Sequence, residues 1–563
     1  MKKKHLFACG LITVLSAIIY LNSLTVPFQY DDLPGITENT DIRIVRLTWL
    51  GLRRFVVADT GSFYNPRGVV LLSFALNYYF GKYNVFGYHL VNILVHIISG
   101  IALYFFLYLT LNLVSPNYPV TSSPSHPVAQ SPNHLTTQLS NYPATLSALL
   151  ISLLWLTNPV QTQAVTYIVQ RFTSMATMFY LLSLVFYVKG RTAFFHSHPG
   201  PLPLRERIKV RGIFYFFLSL LFALCSFGSK EISISLPLVI ILYEILFFGA
   251  FKSHQLKKII SSLFLLVIFL FLIFKEIPRQ MLSARVGLDL LRGFQTFPVI
   301  VHFLTLLFLP LPGRLTLDYD FVSFSPLIII FSGLIVAGIM LITLFLIFRR
   351  KPVVPFFILW FFLNILPQSL YRAITKHELA YEHWLYLSSI GFAAVLVLTF
   401  YKIVEKTRKK IFLSFVFLLI GLQSFWTIKR NYTWKDPVTL WTDTVMKAPN
   451  NPRAHTNLGL AFFVKGELDQ AISTLQNALK VSQYTGLGVS PKTYYYLGMA
   501  YQRKGWNKEA IEQLEIALEE ADKGERLGAG VRFHLADLYV QEKRYEEAIR
   551  TYKKIIELDK RNE

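Results

Sequence analysis

Asp31 and Asp32 stand side by side in Phe28-Gln29-Tyr30-Asp31-Asp32, just past the first long apolar run. If that run crosses a membrane, both acids lie at the rim of the bilayer. A carboxylate near an apolar rim has its pKa raised toward neutrality, which suits it to take a proton from an incoming hydroxyl. Arg171 and Lys230 are the cations that could grip a phosphate as charge grows on it, the guanidinium by its planar fork and the ammonium as a point charge. His96, Glu231, Glu382 and His383 are further ionisable groups in or beside apolar segments, where such groups are costly and tend to face a cavity or one another. The set suits transfer of a sugar from a phosphorylated lipid carrier. Each member also has a plainer reading: a solvated turn or cap for Asp31-Asp32, a structural ion pair for Lys230-Glu231, and a satisfied core histidine for His96.

Other chemistries find less support. No His/Cys/Asp/Glu cluster has metal-ligand spacing, although an acid pair together with a phosphate can hold Mg²⁺ or Mn²⁺. The chain has no Gly-rich phosphate loop, nucleophile elbow or dinucleotide fingerprint, which disfavours a nucleotide-sugar donor.

The elements that must position these residues are membrane helices. Of 563 residues, 53% are hydrophobic and 15% aromatic, and the mean hydropathy is +0.44. Apolar runs near the length of a span recur through residues 1–427, whereas 428–563 reads as soluble, with 428–448 as a linker. The net charge of +23 would suggest nucleic acid in a soluble protein. Here many of the basic residues sit in short loops between apolar runs, as the positive-inside rule and anionic headgroups require, so a nucleic-acid partner is not expected. Cys9 and Cys225 fall in apolar segments near opposite faces and should not bridge.

Lys2-Lys3-Lys4 holds the N-terminus inside, so Asp31 and Asp32 are expected outside. Eleven crossings are expected, at about 6–22, 87–113, 144–157, 171–188, 212–227, 232–249, 259–274, 326–348, 353–366, 386–404 and 411–427. Residues 66–80 read as an interfacial helix and 115–143 as a disordered insert. Basic loops at 189–211 and 250–258 belong inside, as do Arg349-Arg350-Lys351 and the cluster Lys406 to Lys410. That parity makes the short run 295–310, with Pro298, His302 and Pro310, re-entrant or interfacial. Asp31, Asp32, Arg171, Lys230, Glu231, Glu378, Glu382 and His383 then share the outer side with the C-terminal segment.

That segment repeats itself. Leu458-Gly459, Phe462, Ala471, Leu475 and Ala478 recur as Leu497-Gly498, Tyr501, Ala510, Leu514 and Ala517. Leu535-Ala536, Tyr539, Ala548, Tyr552 and Ile555 follow more loosely, the offsets being 39 and 38 residues. Three tetratricopeptide repeats are expected, at about 452–485, 491–524 and 529–562, each covering the apolar face of the next. Such arrays usually bind protein or peptide in their groove. The fold class is therefore all-α: a polytopic helical bundle followed by a soluble solenoid.

With these motifs in place, the chain resembles the membrane-plus-repeat O-mannosyltransferases of the GT-C superfamily. The resemblance lies in Phe28 to Asp32, in Tyr88-His89-Leu90-Val91-Asn92 to His96, and in Asn158-Pro159-Val160-Gln161-Thr162-Gln163-Ala164-Val165-Thr166-Tyr167-Ile168-Val169-Gln170-Arg171. It continues in Ser229-Lys230-Glu231, Glu382-His383-Trp384-Leu385-Tyr386-Leu387 and the repeats. It implies a polyprenyl- or dolichyl-phosphate donor, usually of mannose, protein Ser/Thr hydroxyls as acceptors, and Asp31 as the base. Asn158 departs from the pattern, standing where a His is expected before Pro159. The relaxed composition and the lack of a disulfide framework suggest a bacterial plasma membrane. Two alternatives stay open: a non-catalytic scaffold displaying the repeats, and a transferase acting on a glycan or lipid.

Overall fold

The computed structural model describes residues 3–56, 67–114, 143–195, 202–248, 293–320, 324–375, 380–404, 408–521 and 528–559. The crossing expected at 259–274, the basic loop 250–258, Glu378 and nearly all of the insert 115–143 lie outside them. The described residues form helices and turns, with no strand among them. They belong to two compact units: one of Met1–Leu315 with Phe321–Tyr432, the other of Thr316–Asp320 with Thr433–Glu563.

In the first unit, α1 (Lys3–Tyr20), α2 (Trp49–Val56), α3 (Gly68–Gly81), α4 (Val85–Leu113) and α5 (Ala144–Leu156) come first. A bent turn then leads through α6 (Thr162–Val165) into α7 (Arg171–Phe195), α8 (Leu202–Phe227) and α9 (Leu236–Phe247). Next are α10 (Thr296–Phe308), α11 (Pro326–Phe348), α12 (Val353–Thr375), α13 (Leu385–Ile403) and α14 (Lys409–Tyr432). Among the described residues seven helices are long and apolar enough to cross a membrane, or eight if the bent pair Ala144–Leu156 and Pro159–Val165 is one span. The runs expected to cross at 232–249 and 353–366 form the 12-residue α9 and the start of α12, whose apolar part Val353–Ser369 is one of the shorter helices. At 13 residues α10 reaches only about 20 Å, short of a bilayer core.

Helices α1, α4, α5, α7, α12 and α13 share the main core, with Trp155, Tyr180, Trp360 and Tyr386 fully buried. Small residues set the closest approaches. A Cβ on Gly100 of α4 would lie 3.0 Å from Leu156 and 3.1 Å from Ile12, and one on Gly391 of α13 would strike the Phe357 carbonyl oxygen of α12. Buried Glu244 of α9 accepts from Arg191 Nε at 2.8 Å and from the Tyr187 hydroxyl at 2.7 Å, tying α9 to α7. A charge so deep needs partners of this kind.

In the second unit, α15 (Pro437–Lys447) precedes three helix pairs: α16 (Pro452–Lys465) with α17 (Leu468–Thr485), α18 (Pro491–Lys504) with α19 (Asn507–Ala521), and α20 (Gly528–Gln541) with α21 (Tyr545–Asp559). The repeated glycines are the seam: a Cβ on Gly459 would lie 2.5 Å from Leu475 Cγ, and one on Gly498 2.8 Å from Leu514 Cγ. The stretch expected as a linker is instead the last turn of α14 followed by α15. The missed signal is an N-cap, Asp436 accepting from the Thr439 N–H at 2.9 Å with Pro437 at the first helical position. Thr316–Asp320, from the connection between α10 and α11, also packs into this unit, where buried Asp318 pairs with Arg453 of α16 at 2.5 Å. Nothing in the local sequence marked that segment.

Candidate functional site

After α1 the chain turns back on itself at the acid pair. The Asp32 carboxyl is buried and accepts twice from backbone, from the Gln29 N–H at 2.9 Å and from the Val169 N–H at 2.6 Å. It therefore staples the first loop to the approach of α7. Burial pushes the Asp32 carboxyl up to about 8; neighbouring Asp31 adds to the rise, while the two N–H donors and Arg171 oppose it. Asp31 differs: its side chain is exposed, and its backbone N–H donates to the Tyr167 hydroxyl at 2.8 Å. Between Gln29 and this pair, Tyr30 takes a left-handed conformation at φ 45°, which costs a bulky residue about 1–2 kcal/mol. The bonds on either side hold it there.

Helix α4 supports the same loop. His89 Nε2 donates to the Val26 carbonyl at 2.8 Å, and the Tyr88 ring meets Phe28 at 5.2 Å edge-on. Asn92 of α4 then grips the approach to α7, donating to the Val165 and Ile168 carbonyls at 3.1 and 3.3 Å.

Arg171 begins α7 and points into the bundle. Its Nε donates to Asn92 at 2.6 Å, Nη1 to Ser73 at 3.1 Å and Asn77 at 2.6 Å, and Nη2 to the Tyr88 carbonyl at 2.8 Å. The guanidinium lies over the Phe74 ring at 4.5 Å and is fully buried. In this arrangement it joins α3, α4 and α7, and its donors face protein rather than an open surface.

Lys230 stands in the connection between α8 and α9. Its Nζ donates to Thr173 Oγ1 at 2.8 Å and to Gln170 Oε1 at 3.4 Å. Next to it Glu231 pairs with Arg67 at 3.4 Å, both side chains about half exposed at 48% and 53%. The Arg67 guanidinium also lies over the Phe172 ring at 5.3 Å.

The stretch 167–173 is thus a hub. Tyr167 touches Asp31, Val169 touches Asp32, Gln170 and Thr173 hold Lys230, and Phe172 carries Arg67. Seven residues in helical turns span on the order of 10 Å, so the acids and the cations Lys230 and Arg67 are anchored along one short line. Sequence reasoning singled out only Arg171 for a role within the hub. Tyr167, Gln170, Phe172, Thr173, Arg67 and His89 carried no charge pattern or spacing that marked them, although several lie inside the resemblance motifs.

The remaining candidates sit elsewhere in the first unit. His383 offers its backbone N–H and ring Nδ1 to Gln163 Oε1, at 2.7 and 3.1 Å, and stacks on Tyr381 at 5.4 Å; Glu382 is buried beside it. This cluster meets the α6 turn through Gln163. His96 is a core cross-link. Its Nε2 faces the Leu156 carbonyl at 3.2 Å and so carries the proton, leaving Nδ1 to accept from the Tyr386 hydroxyl at 2.7 Å. Among the described residues no three His, Cys, Asp or Glu side chains group as a metal site, and both Asp32 oxygens are committed to backbone.

The two units define the class: an α-helical multi-pass membrane protein that carries a tetratricopeptide array. The tetratricopeptide repeat family matches residues 491–523 and 529–562. Among curated proteins the chain is similar to protein O-mannosyl-transferase tmtc2 of Xenopus laevis, 26% identical over 256 residues, which are 44% of this chain and 25% of the relative. It is similar to protein O-mannosyl-transferase TMTC2 of Homo sapiens, 26% identical over 250 residues, 43% of this chain and 24% of the relative. It is also similar to protein O-mannosyl-transferase F38B6.6 of Caenorhabditis elegans, 21% identical over 479 residues, 83% of this chain and 61% of the relative. The chain thus matches about a quarter of the length of the two vertebrate relatives. No solved structure matches it. The resemblance read from the motifs is found in these homologues.

Proposed function

We propose that the chain is an integral membrane glycosyltransferase that moves one sugar, mannose, from a polyprenyl-phosphate carrier to Ser or Thr hydroxyls of proteins, on the outer side of a bacterial plasma membrane. The observation that carries this reading is the split within the acid pair. Asp31 is exposed with its backbone held by Tyr167, and Asp32 is buried as the staple that fixes it. Asp31 takes the proton of the acceptor hydroxyl. The hydroxyl oxygen bonds to the anomeric carbon, and the bond from that carbon to the phosphate oxygen breaks on the opposite face, so the configuration inverts. Charge growing on the departing phosphate is met by Lys230 and Arg67, and Arg171 positions the helices that carry them. The repeats recruit the acceptor.

Sidedness supports the same reading. Asn431, one residue before the end of α14, donates to Asn22 just past α1 at 3.0 Å, and Thr166 donates to Asn431 at 2.8 Å. The end of α14 therefore shares a face with the end of α1, opposite the lysines at the start of each.

The test is transfer of labelled sugar from defined polyprenyl-phosphate sugars to a Ser/Thr peptide by the purified full chain. Asp31→Asn is expected to lower kcat by about 10²–10⁴-fold, the usual contribution of a general base, with an unchanged melting temperature because the side chain is exposed. Transfer by this variant within a few-fold of wild type removes Asp31 as the base. Products on glycan or lipid with none on peptide move the assignment to another acceptor.

A further inference from the structure

The repeat unit already holds one acidic segment of its own chain. Asp318, buried in the non-helical stretch Thr316–Asp320, accepts from Arg453 at the start of α16, from Nε at 2.7 Å and from Nη2 at 2.5 Å. Arg453 follows Pro452, and Lys492 follows Pro491 at the same place in the next repeat, 39 residues on. The two helix starts are neighbours, the hydroxyls of Thr456 and Thr493 lying 2.8 Å apart. A cation in the first turn of a helix stands against the positive end of the helix dipole. In the first repeat the Asp318 carboxylate offsets this. Lys492 is exposed, and among the described residues it makes no ion pair with an acid.

Lys492 also opens a stripe. Lys492, Tyr496, Met499 and Arg503 follow at intervals of four, three and four residues, which puts them on one face of α18. The exposed Arg503 guanidinium lies over the Phe463 ring of α16 at 4.1 Å and, among the described residues, makes no ion pair with an acid. The Tyr496 ring meets the same Phe463 ring at 5.8 Å and the Tyr495 ring at 5.0 Å, and Tyr495 meets His534 of α20 at 5.9 Å. Half-buried Tyr495 and Tyr496 thus form an aromatic shelf that links the first helices of all three repeats, between the two cations of α18. Helices α16 and α18 hold no Asp or Glu, and the Asp537 carboxylate of α20 accepts from the Tyr552 hydroxyl. The acids are carried by the second helices, as Glu509, Glu512 and Glu519 are by α19. The first helices are therefore basic and aromatic, a match for carboxylates with an apolar group between them.

We propose that this face of α18 binds an acidic segment of the acceptor protein, Lys492 and Arg503 each taking a carboxylate and the Tyr495–Tyr496 shelf an apolar side chain between them. Asp318 on Arg453 is the in-chain precedent for the contact. Eleven residues separate Lys492 from Arg503. That is about 17 Å of helix, which about five extended residues span. The inference rests on the reading that the repeats recruit the acceptor, and it names what they recruit: a stretch with acids about five residues apart.

The experiment measures binding of fluorescent Ser/Thr peptides to the full chain in nanodiscs, with no sugar donor present. One peptide carries two Asp residues about five positions apart around a Phe; in a second both are Asn, and in a third both are Lys. Wild type is expected to bind the Asp peptide about 3- to 30-fold more tightly than the Asn peptide, from two exposed charge pairs, and to lose that preference at high salt. The Lys492→Glu/Arg503→Glu variant is expected to lose the Asp peptide and to prefer the Lys peptide, a swap that a misfolded array would not show. Equal binding of the Asp and Asn peptides by wild type overturns the proposal, as does unchanged Asp-peptide binding by the variant. Displacement of the Asp peptide by an equal concentration of oligothymidylate assigns the face to nucleic acid and overturns it as well. Binding of the Asp peptide by a wild-type chain that transfers no sugar counts against the transferase reading alone.

Discussion

Asp32→Asn tests the staple directly. The carboxyl serves two N–H donors, those of Val169 and Gln29, at 2.6 and 2.9 Å. A carboxamide has one oxygen, so it keeps one of these bonds and turns its NH₂ toward the other donor. Leaving a buried N–H unsatisfied costs about 1–3 kcal/mol, set against a turn in which Tyr30 already holds a strained backbone. If the loop must be closed for Asp31 to act, the loss in kcat/KM is about 5- to 150-fold. The substitution also has a signature in pH. The Asp32 carboxyl titrates near 3.8 when unfolded and near 8 when folded. Below both values neither state gains from its proton. Between them the folded state binds one more proton, so rising pH removes stability, by up to about 1.4 kcal/mol per unit; above about 8 the loss is complete. Wild type should therefore melt lower at pH 9 than at pH 5 by more than Asp32→Asn does. The assay is sugar transfer alongside thermal unfolding across that range. Full activity in the variant, or melting curves with the same pH dependence in both proteins, refutes the staple.

Lys230→Met should raise KM for the lipid-phosphate donor roughly tenfold or more, since it removes a charge held 2.8 Å from Thr173 at the hub; an unchanged KM would place the phosphate elsewhere. Arg171→Lys keeps the charge but cannot reproduce donors to Asn92, Ser73, Asn77 and the Tyr88 carbonyl. It should cost about 3–6 kcal/mol, from about 1.5–3 kcal/mol for each of two lost bonds, seen as a lower melting temperature of the membrane unit. In the array, Gly498→Ala drives a Cβ against Leu514 and the Ala510 carbonyl. A loss of about 1–3 kcal/mol is expected on chemical unfolding of the full chain, followed by the Trp506 signal beside that repeat.

Much of this architecture was legible along the chain because its causes are local. A span needs a run of apolar residues, and a repeat array needs small and large residues at fixed spacing, so α1, α4, α11, the Leu-Gly seams and the three helix pairs could be read off directly. Where causes are not local the reading failed or stayed silent. Thr316–Asp320 joined the repeat unit through a pair between residues 318 and 453, whereas the Asp436-Pro437 cap inside the supposed linker was a local signal passed over. The acid pair shows the limit most clearly.

Composition and pattern determined that two adjacent carboxylates follow a membrane helix, that basic loops mark one side, and that a helical array closes the chain, because hydropathy and periodicity are properties of neighbouring residues. Only the folded structure decided that Asp32 is buried while Asp31 is exposed, that Arg171 faces the core, and that residues 167–173 tie both acids to Lys230 and Arg67. Those outcomes depend on which backbone N–H groups, side chains and rings arrive from 57 to 137 residues away, and charge, size and order along the chain carry no record of that.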